Sequence, residues 1–133
     1  TATAVANGEF HYTVNGVPYR KAAVAAGTAP GNDVIPQSTY GAVALDIGAD
    51  GTIDVIEAGD NATGYASAAL AIAGIAGVAA DHVRMGTVTA TKSDGAFTLG
   101  TTDLDAANVT AAYTDGSTGI SSVVTTALTL NKG

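Results

Sequence analysis

Apolar and polar side chains alternate in several short runs along the chain, a pattern typical of β-strands with one buried face. In the first run, residues 10–14, Phe, Tyr and Val alternate with His and Thr, and Asn15-Gly16 separates it from a second run that begins at Val17. Both central positions of a type I′ turn need positive φ, which Asn and Gly adopt most readily. The pattern therefore predicts a two-residue β-hairpin.

A second hairpin is predicted between Tyr40 and Ala58, where apolar residues two apart lead into Ala49-Asp50-Gly51 and resume after it. This spacing predicts half-buried strands. Residues 82–92 alternate again, and Ser93-Asp94-Gly95 turns the chain into a further short strand at 96–99. The middle of the chain thus has a mainly antiparallel β pattern.

One segment, residues 63–80, has a helical pattern. It is rich in alanine, and three of its larger apolar residues stand three positions apart. We expect a short helix that packs closely through its alanine and glycine face. Gly74 and Gly77 weaken helical structure, so the helix is expected to end early.

The length of 133 residues predicts a single domain spanning 1–133. Residues 1–8 are an expected N-terminal arm, 23–37 a loop or second arm, and 100–133 a Thr/Ser-rich β segment with β-prone tracts at 109–113 and 121–130. The predicted fold class is α+β: mainly antiparallel β hairpins, with one short Ala-rich helix packed on the sheet.

Composition points to self-association. The chain is 47% hydrophobic, but much of this is alanine, and only 5 Tyr and 2 Phe are aromatic. Alanine buries little area, so the core is expected to be thin and to be completed by contacts with other copies.

The acidic charge balance excludes two classes of binding partner. Twelve acidic residues against five basic ones give a net charge of −7, too few cations to neutralise phosphates or to bind anionic lipid, so we expect no nucleic acid and no membrane partner. The longest apolar stretch, 66–80, is shorter than the roughly 20 residues of a membrane-spanning helix. A soluble protein is expected.

The segment from Asp46 to Glu57 has partial calcium-loop spacing. Acids occupy loop positions 1, 5, 9 and 12, and a glycine occupies position 6. The acidic residues are Asp46, Asp50, Asp54 and Glu57. Gly48 at position 3 offers no side-chain ligand, and the flanks alternate like strands, so a plain Asp-Gly hairpin is the favoured interpretation and no metal is predicted.

No catalytic motif is present in the sequence. His11 and His82 lack metal-ligand spacing, and no Gly-x-Ser-x-Gly, P-loop or dinucleotide fingerprint occurs. We expect a protein that is not an enzyme, with no catalytic residue and no cofactor.

The run from Pro36 to Thr91 resembles structural proteins of tailed-bacteriophage virions. The resemblance lies in the order of its pieces: Tyr40 in a first strand, Ala49-x-Gly51-Thr52-Ile53 at a turn, Tyr65-Ala66 before an Ala-rich helix with Ala71-Ile72-Ala73, then His82 and Met85-Gly86 before a Val-Thr strand. Upstream, Asn15-Gly16-Val17-x-Tyr19 fits the same pattern.

This resemblance implies a capsid decoration (cement) protein or head fibre on the capsid exterior of the virion. The expected partners are further copies of the chain, as a homo-oligomer with a trimer preferred, and the major capsid protein. A head fibre or tail appendage is the first alternative. The second is a host-surface or carbohydrate-binding module, for which Tyr12, Tyr19 and Tyr113 would stack on sugars if exposed.

Overall fold

The computed structural model describes residues 8–24 and 30–116. Over these ranges it is mainly antiparallel β, as expected, and its helix is six residues long. No helix in the described ranges is long and apolar enough to cross a membrane. The elements in chain order are β1 (Phe10–Val14), β2 (Val17–Lys21), β3 (Val34–Ile35), β4 (Gly41–Gly48), β5 (Ile53–Glu57), α1 (Ala68–Ala73), β6 (His82–Lys92), β7 (Phe97–Thr98) and β8 (Val109–Asp115).

A four-stranded antiparallel sheet in the order β5-β4-β6-β8 forms the centre of the domain. The pairing of β4 with β6 shifts register between Leu45 and Asp46, so that Met85 is the extra residue of a β-bulge. Val83, before the bulge, and Val88, after it, therefore face the same side of the sheet. The parts of β6 before and after the bulge thus contribute apolar side chains to the same face of the sheet.

Strand β4 is buried at all eight positions, so the expectation of half-buried strands is wrong for this element. Leu45 and Ile47 face one layer of the domain, whereas Ala42 and Ala44 face the other. A strand covered on both faces has no solvent side, and its apparent periodicity is an alternation of large and small apolar residues.

One face of the sheet is covered by the hairpin layer, residues 10–21. Asn15 and Gly16 have φ of 52° and 79°, which confirms the predicted turn and hairpin. The hairpin packs on the sheet through large side chains. The buried cluster consists of Phe10, Tyr12, Val14, Leu45, Ile47, Val83 and Met85.

Part of segment 23–37 is strand rather than loop or arm. Val34–Ile35 pairs with Phe97–Thr98, and both Ile35 and Phe97 are fully buried beside β4 and β6. Burial of two large side chains here offsets the entropy of ordering a chain segment rich in Pro and Gly. Residues 25–29 of the expected loop, most of the expected arm (1–7) and the β-prone tract 121–130 lie outside the described residues.

The other face is covered by the α1 layer, residues 66–80. Ser67 caps α1 by accepting a hydrogen bond from Leu70 N, and the helix ends at Gly74, as the glycine predicted. Ala71 is fully buried against Ala42, Ala44 and Ala58. The expected packing through an alanine face is confirmed, because methyl side chains let the helix backbone approach the sheet closely.

Asn61 joins the α1 side of the domain to β4. It is fully buried; its Oδ1 accepts from Ala42 N at 2.9 Å, and its Nδ2 donates to Ala42 O at 3.0 Å. The amide thus bonds both backbone groups of Ala42, just beyond the register with β5, and Ala42 O also accepts from Ala58 N at 2.9 Å. Gly41 beside it leaves the space that the buried Ile35 side chain occupies, because a Cβ at this position would overlap that side chain.

Candidate functional site

The acidic segment from Asp46 to Glu57 forms the β4–β5 hairpin, in which the four acids are distributed over both faces and the turn. Asp46 and Asp54 lie opposite each other on the α1 side, Asp50 lies in the turn, and Glu57 pairs with Val43 on the other side. Over residues 8–24 and 30–116, no group of three or more His, Cys, Asp or Glu side chains is placed to hold a metal ion.

Asp46 forms a buried ion pair with Arg84 that also fixes the α1 layer. Arg84 Nε donates to Asp46 Oδ1 at 2.8 Å and Nη2 to Oδ2 at 3.1 Å, with the Asp46 side chain only 3% exposed. Nη2 also donates to Ala76 O at 2.8 Å. Because the fork geometry of a guanidinium is rigid, the pair holds the chain after α1 at a set distance from the sheet.

His82 makes a second contact with the chain segment that follows α1. Its Nδ1 lies 2.7 Å from Ala80 O, and since a carbonyl only accepts, Nδ1 carries the proton. Nε2 lies 3.2 Å from Asp54 Oδ2. The hydrogen bond to Ala80, followed by the negative charges of Asp54 and Asp50, raises the pKa of His82 above its ordinary value. The imidazolium form is therefore stabilised in the fold.

The other two acids have different environments. Asp50 accepts hydrogen bonds from the backbone N and hydroxyl of Thr52, both at 2.9 Å, which hold the pKa of Asp50 below its ordinary value. Burial, then the nearby charge of Asp33, raises the pKa of Glu57. Asp50 thus stabilises the turn through its hydrogen bonds with Thr52, while Glu57 lies on the sheet face away from the α1 layer.

The tyrosines proposed for sugar stacking have structural roles. Tyr12 is buried, stacks on Tyr19 with ring centroids 5.4 Å apart, and donates its hydroxyl hydrogen to Gly48 O at 3.0 Å. Tyr113 is half-buried over Gly86 and donates to Met85 O at 3.1 Å. Tyr12 is therefore unavailable for stacking on a sugar. This corrects its assignment as a stacking residue in the carbohydrate-binding alternative.

The exposed positions of the α1 layer are all apolar. Leu70 is 54% exposed and Val78 44% exposed. Every exposed residue between positions 66 and 80 is Ala, Leu, Gly or Val, and the run contains no charge. We call these residues the α1 surface: Ala66, Ala69, Leu70, Ala73, Ala76, Gly77, Val78, Ala79 and Ala80.

The backbone beneath the α1 surface is anchored at several points. Gly59 N donates to Gly74 O at 3.1 Å, and Arg84 and His82 bond the carbonyls of Ala76 and Ala80. Asn15, from the turn of the hairpin layer, donates to Asp81 Oδ1 at 2.8 Å. An exposed apolar run held in one conformation is preorganised for binding, because little conformational entropy remains to be lost on association.

No family model, curated protein or solved structure matches the sequence or the fold at a significant level. The candidate site therefore rests on the geometry of this chain.

Sequence reasoning found the helix of the α1 layer but missed its exposed surface and the residues that anchor it. Arg84 carried a usable signal, since a lone arginine inside an alternating strand needs a partner when its face is covered. Asn61 carried none, because its role depends on the three-dimensional position of Ala42.

Proposed function

We propose that this protein is a structural component of a bacteriophage virion, a capsid decoration protein on the capsid exterior that binds the major capsid protein through the α1 surface. The observation that carries the proposal is the anchored, uncharged apolar run at 66–80. The class of partner follows from the resemblance inferred from the order of motifs in segment 36–91.

Small apolar residues suit a contact repeated over a shell. Each Å² of apolar surface removed from water contributes about 25 cal/mol, and alanine and glycine allow the partner backbone to approach closely. Stable interfaces bury roughly 800 Å² per partner, so the α1 surface would form the centre of a larger contact. A protein that binds only assembled capsids stabilises them by mass action.

Capsids stripped of this protein provide the test. Wild-type protein is expected to co-sediment with them at near-stoichiometric copy number. Leu70→Asp and Val78→Asp should each weaken binding at least about tenfold, because a carboxylate in an apolar contact loses hydration without gaining a partner.

Val17→Asp is the matched control, because Val17 is similarly exposed, at 49%, but lies in the hairpin layer. It should bind capsids like the wild type, and circular dichroism should show that all three variants remain folded. Equal loss in all three variants, or wild-type protein that ignores capsids, would contradict the proposal.

A further inference from the structure

Strand β8 is an edge strand of the central sheet. Its seven residues pair with β6 in an unbroken register from Lys92 opposite Val109 to Gly86 opposite Asp115. Within 8–24 and 30–116, no strand pairs with its other edge. Every second residue of β8 therefore directs its backbone N–H and C=O groups outward.

The outer edge of β8 lacks the devices that usually prevent strand pairing. The strand contains no Pro, Lys or bulge, and the stretch 106–114 carries no charge. The opposite edge strand of the sheet, β5, differs: two of its five residues, Asp54 and Glu57, are acidic. In a chain of net charge −7, two copies can approach at β8 with less repulsion than at β5.

We propose that β8 binds β8 of a second copy in antiparallel orientation, about a twofold axis at Ala112. This register sets Ala112 against its own copy, Thr110 against Thr114, and Ala111 against Tyr113. Thr110, Ala112 and Thr114 form the exposed face of the strand, while Ala111 and Tyr113 lie on the half-buried face. Each cross-strand pair is thus two threonines, two alanines or a small residue against a large one.

The same register separates the charges at the strand ends. Asp115 falls opposite Val109 of the other copy, so the two Asp115 carboxylates stand at opposite ends of the pairing, about 20 Å apart at roughly 3.4 Å per residue. A twofold contact uses the same patch on both copies, as β8 does here. The product is an eight-stranded sheet, within the usual size of open sheets.

This pairing predicts a dimer or another even-numbered assembly, in place of the trimer preferred from the sequence. It does not depend on the α1 surface, so self-association and capsid binding can fail separately. The competing occupant of the edge is the β-prone tract 121–130 of the same chain, which would leave the protein monomeric.

Charge substitutions on the twofold axis test the pairing in the full-length chain. Wild-type protein should sediment at twice the 12.9 kDa chain mass. Ala112→Lys and Ala112→Glu each place two like-charged side chains directly opposite each other across the axis, with Cβ atoms about 5 Å apart, and should raise the dimer Kd at least about tenfold at low salt. Because Ala112 is exposed in the single chain, both variants should fold normally.

Mixing the two variants provides the decisive step. Opposite charges then face each other, and the heterodimer should recover at least the wild-type affinity, a result that misfolded variants could not give. Ala62→Lys, at an exposed turn position, is the control and should remain dimeric. A monomeric wild type, an assembly of odd number, or a dimer unaffected by both substitutions would overturn the proposal.

Discussion

The two layers that cover the central sheet differ in how they pack and in what they expose. The hairpin layer buries Phe10, Tyr12 and Val14, and its exposed positions include His11 and Arg20. The α1 layer buries mainly methyl groups, and its exposed positions are all apolar. The hairpin layer thus exposes charged and polar side chains, whereas the α1 layer exposes the uncharged surface through which we propose that the protein binds the capsid.

The layers are also held differently. Large buried side chains secure the hairpin layer, so its stability follows from apolar area. The α1 layer is held by side chains from β6 that bond its backbone, Arg84 to Ala76 O and His82 to Ala80 O, which adds to the small area that alanine buries. Substitutions in the two layers should therefore lower the stability of the fold by different mechanisms.

Phe10→Ala is expected to have the largest effect. It removes a buried ring from the hairpin-layer cluster and should lower the free energy of unfolding by about 3–5 kcal/mol. Urea denaturation measures this loss, and Phe10→Leu, which keeps most of the volume, should cost less. An equal loss in both variants would show that area does not secure this layer.

Arg84→Ala should rank second. It leaves the Asp46 carboxylate buried without its partner and should cost about 3 kcal/mol, at the lower end of such cases because Arg84 is 22% exposed. In chemical denaturation, the double variant Asp46→Asn, Arg84→Ala should be more stable than Arg84→Ala alone. A double variant of lower stability would argue against an uncompensated charge as the cause.

Ala71→Leu tests close packing in the α1 layer. Ala71 is fully buried, and a larger side chain would push α1 off the sheet at a cost of about 2 kcal/mol in thermal or urea unfolding. Ala69→Leu, at an exposed position of the same helix, should change stability by less than about 0.5 kcal/mol. Similar values for the two would mean that the helix does not pack through Ala71.

The smallest expected effect is a pH dependence from His82. Its pKa in the fold lies above the ordinary value, so the stability that it contributes is fully present below about pH 6.5 and is lost as pH rises through the raised pKa. Unfolding midpoints measured from pH 5.5 to 8.5 should fall across this window. The fall should be absent in His82→Gln and reduced in Asp54→Asn.

Local signals predicted much of the fold because they depend on neighbouring residues. Asn15-Gly16 determined a type I′ turn by its φ preference, and Gly74 marked the end of α1. The hairpin predicted around Asp50-Gly51 from the alternation of the flanking residues is confirmed by the pairing of β4 with β5. Each of these features is decided within a few residues of chain.

Other features depend on contacts between distant segments. Alternation around Leu45 looks the same whether one face of a strand or both are covered, so the burial of β4 on both sides could not be read from its spacing. The bulge at Met85 likewise changes the phase of β6. Gly86 beside it is a residue that often marks a bulge, but the glycine alone does not say which face each half of the strand buries.

The sequence by itself determined the hairpin turns, the main strands, the presence of one helix and the acidic, alanine-rich character of this protein, because these follow from local backbone preference and composition. Tertiary structure decided which apolar residues are core and which form the α1 surface. Leu70 and Ala71 are adjacent in the helix, yet one is exposed and the other fully buried. The reason is geometric, because only a small side chain fits where the helix backbone closes on Ala42 and Ala44.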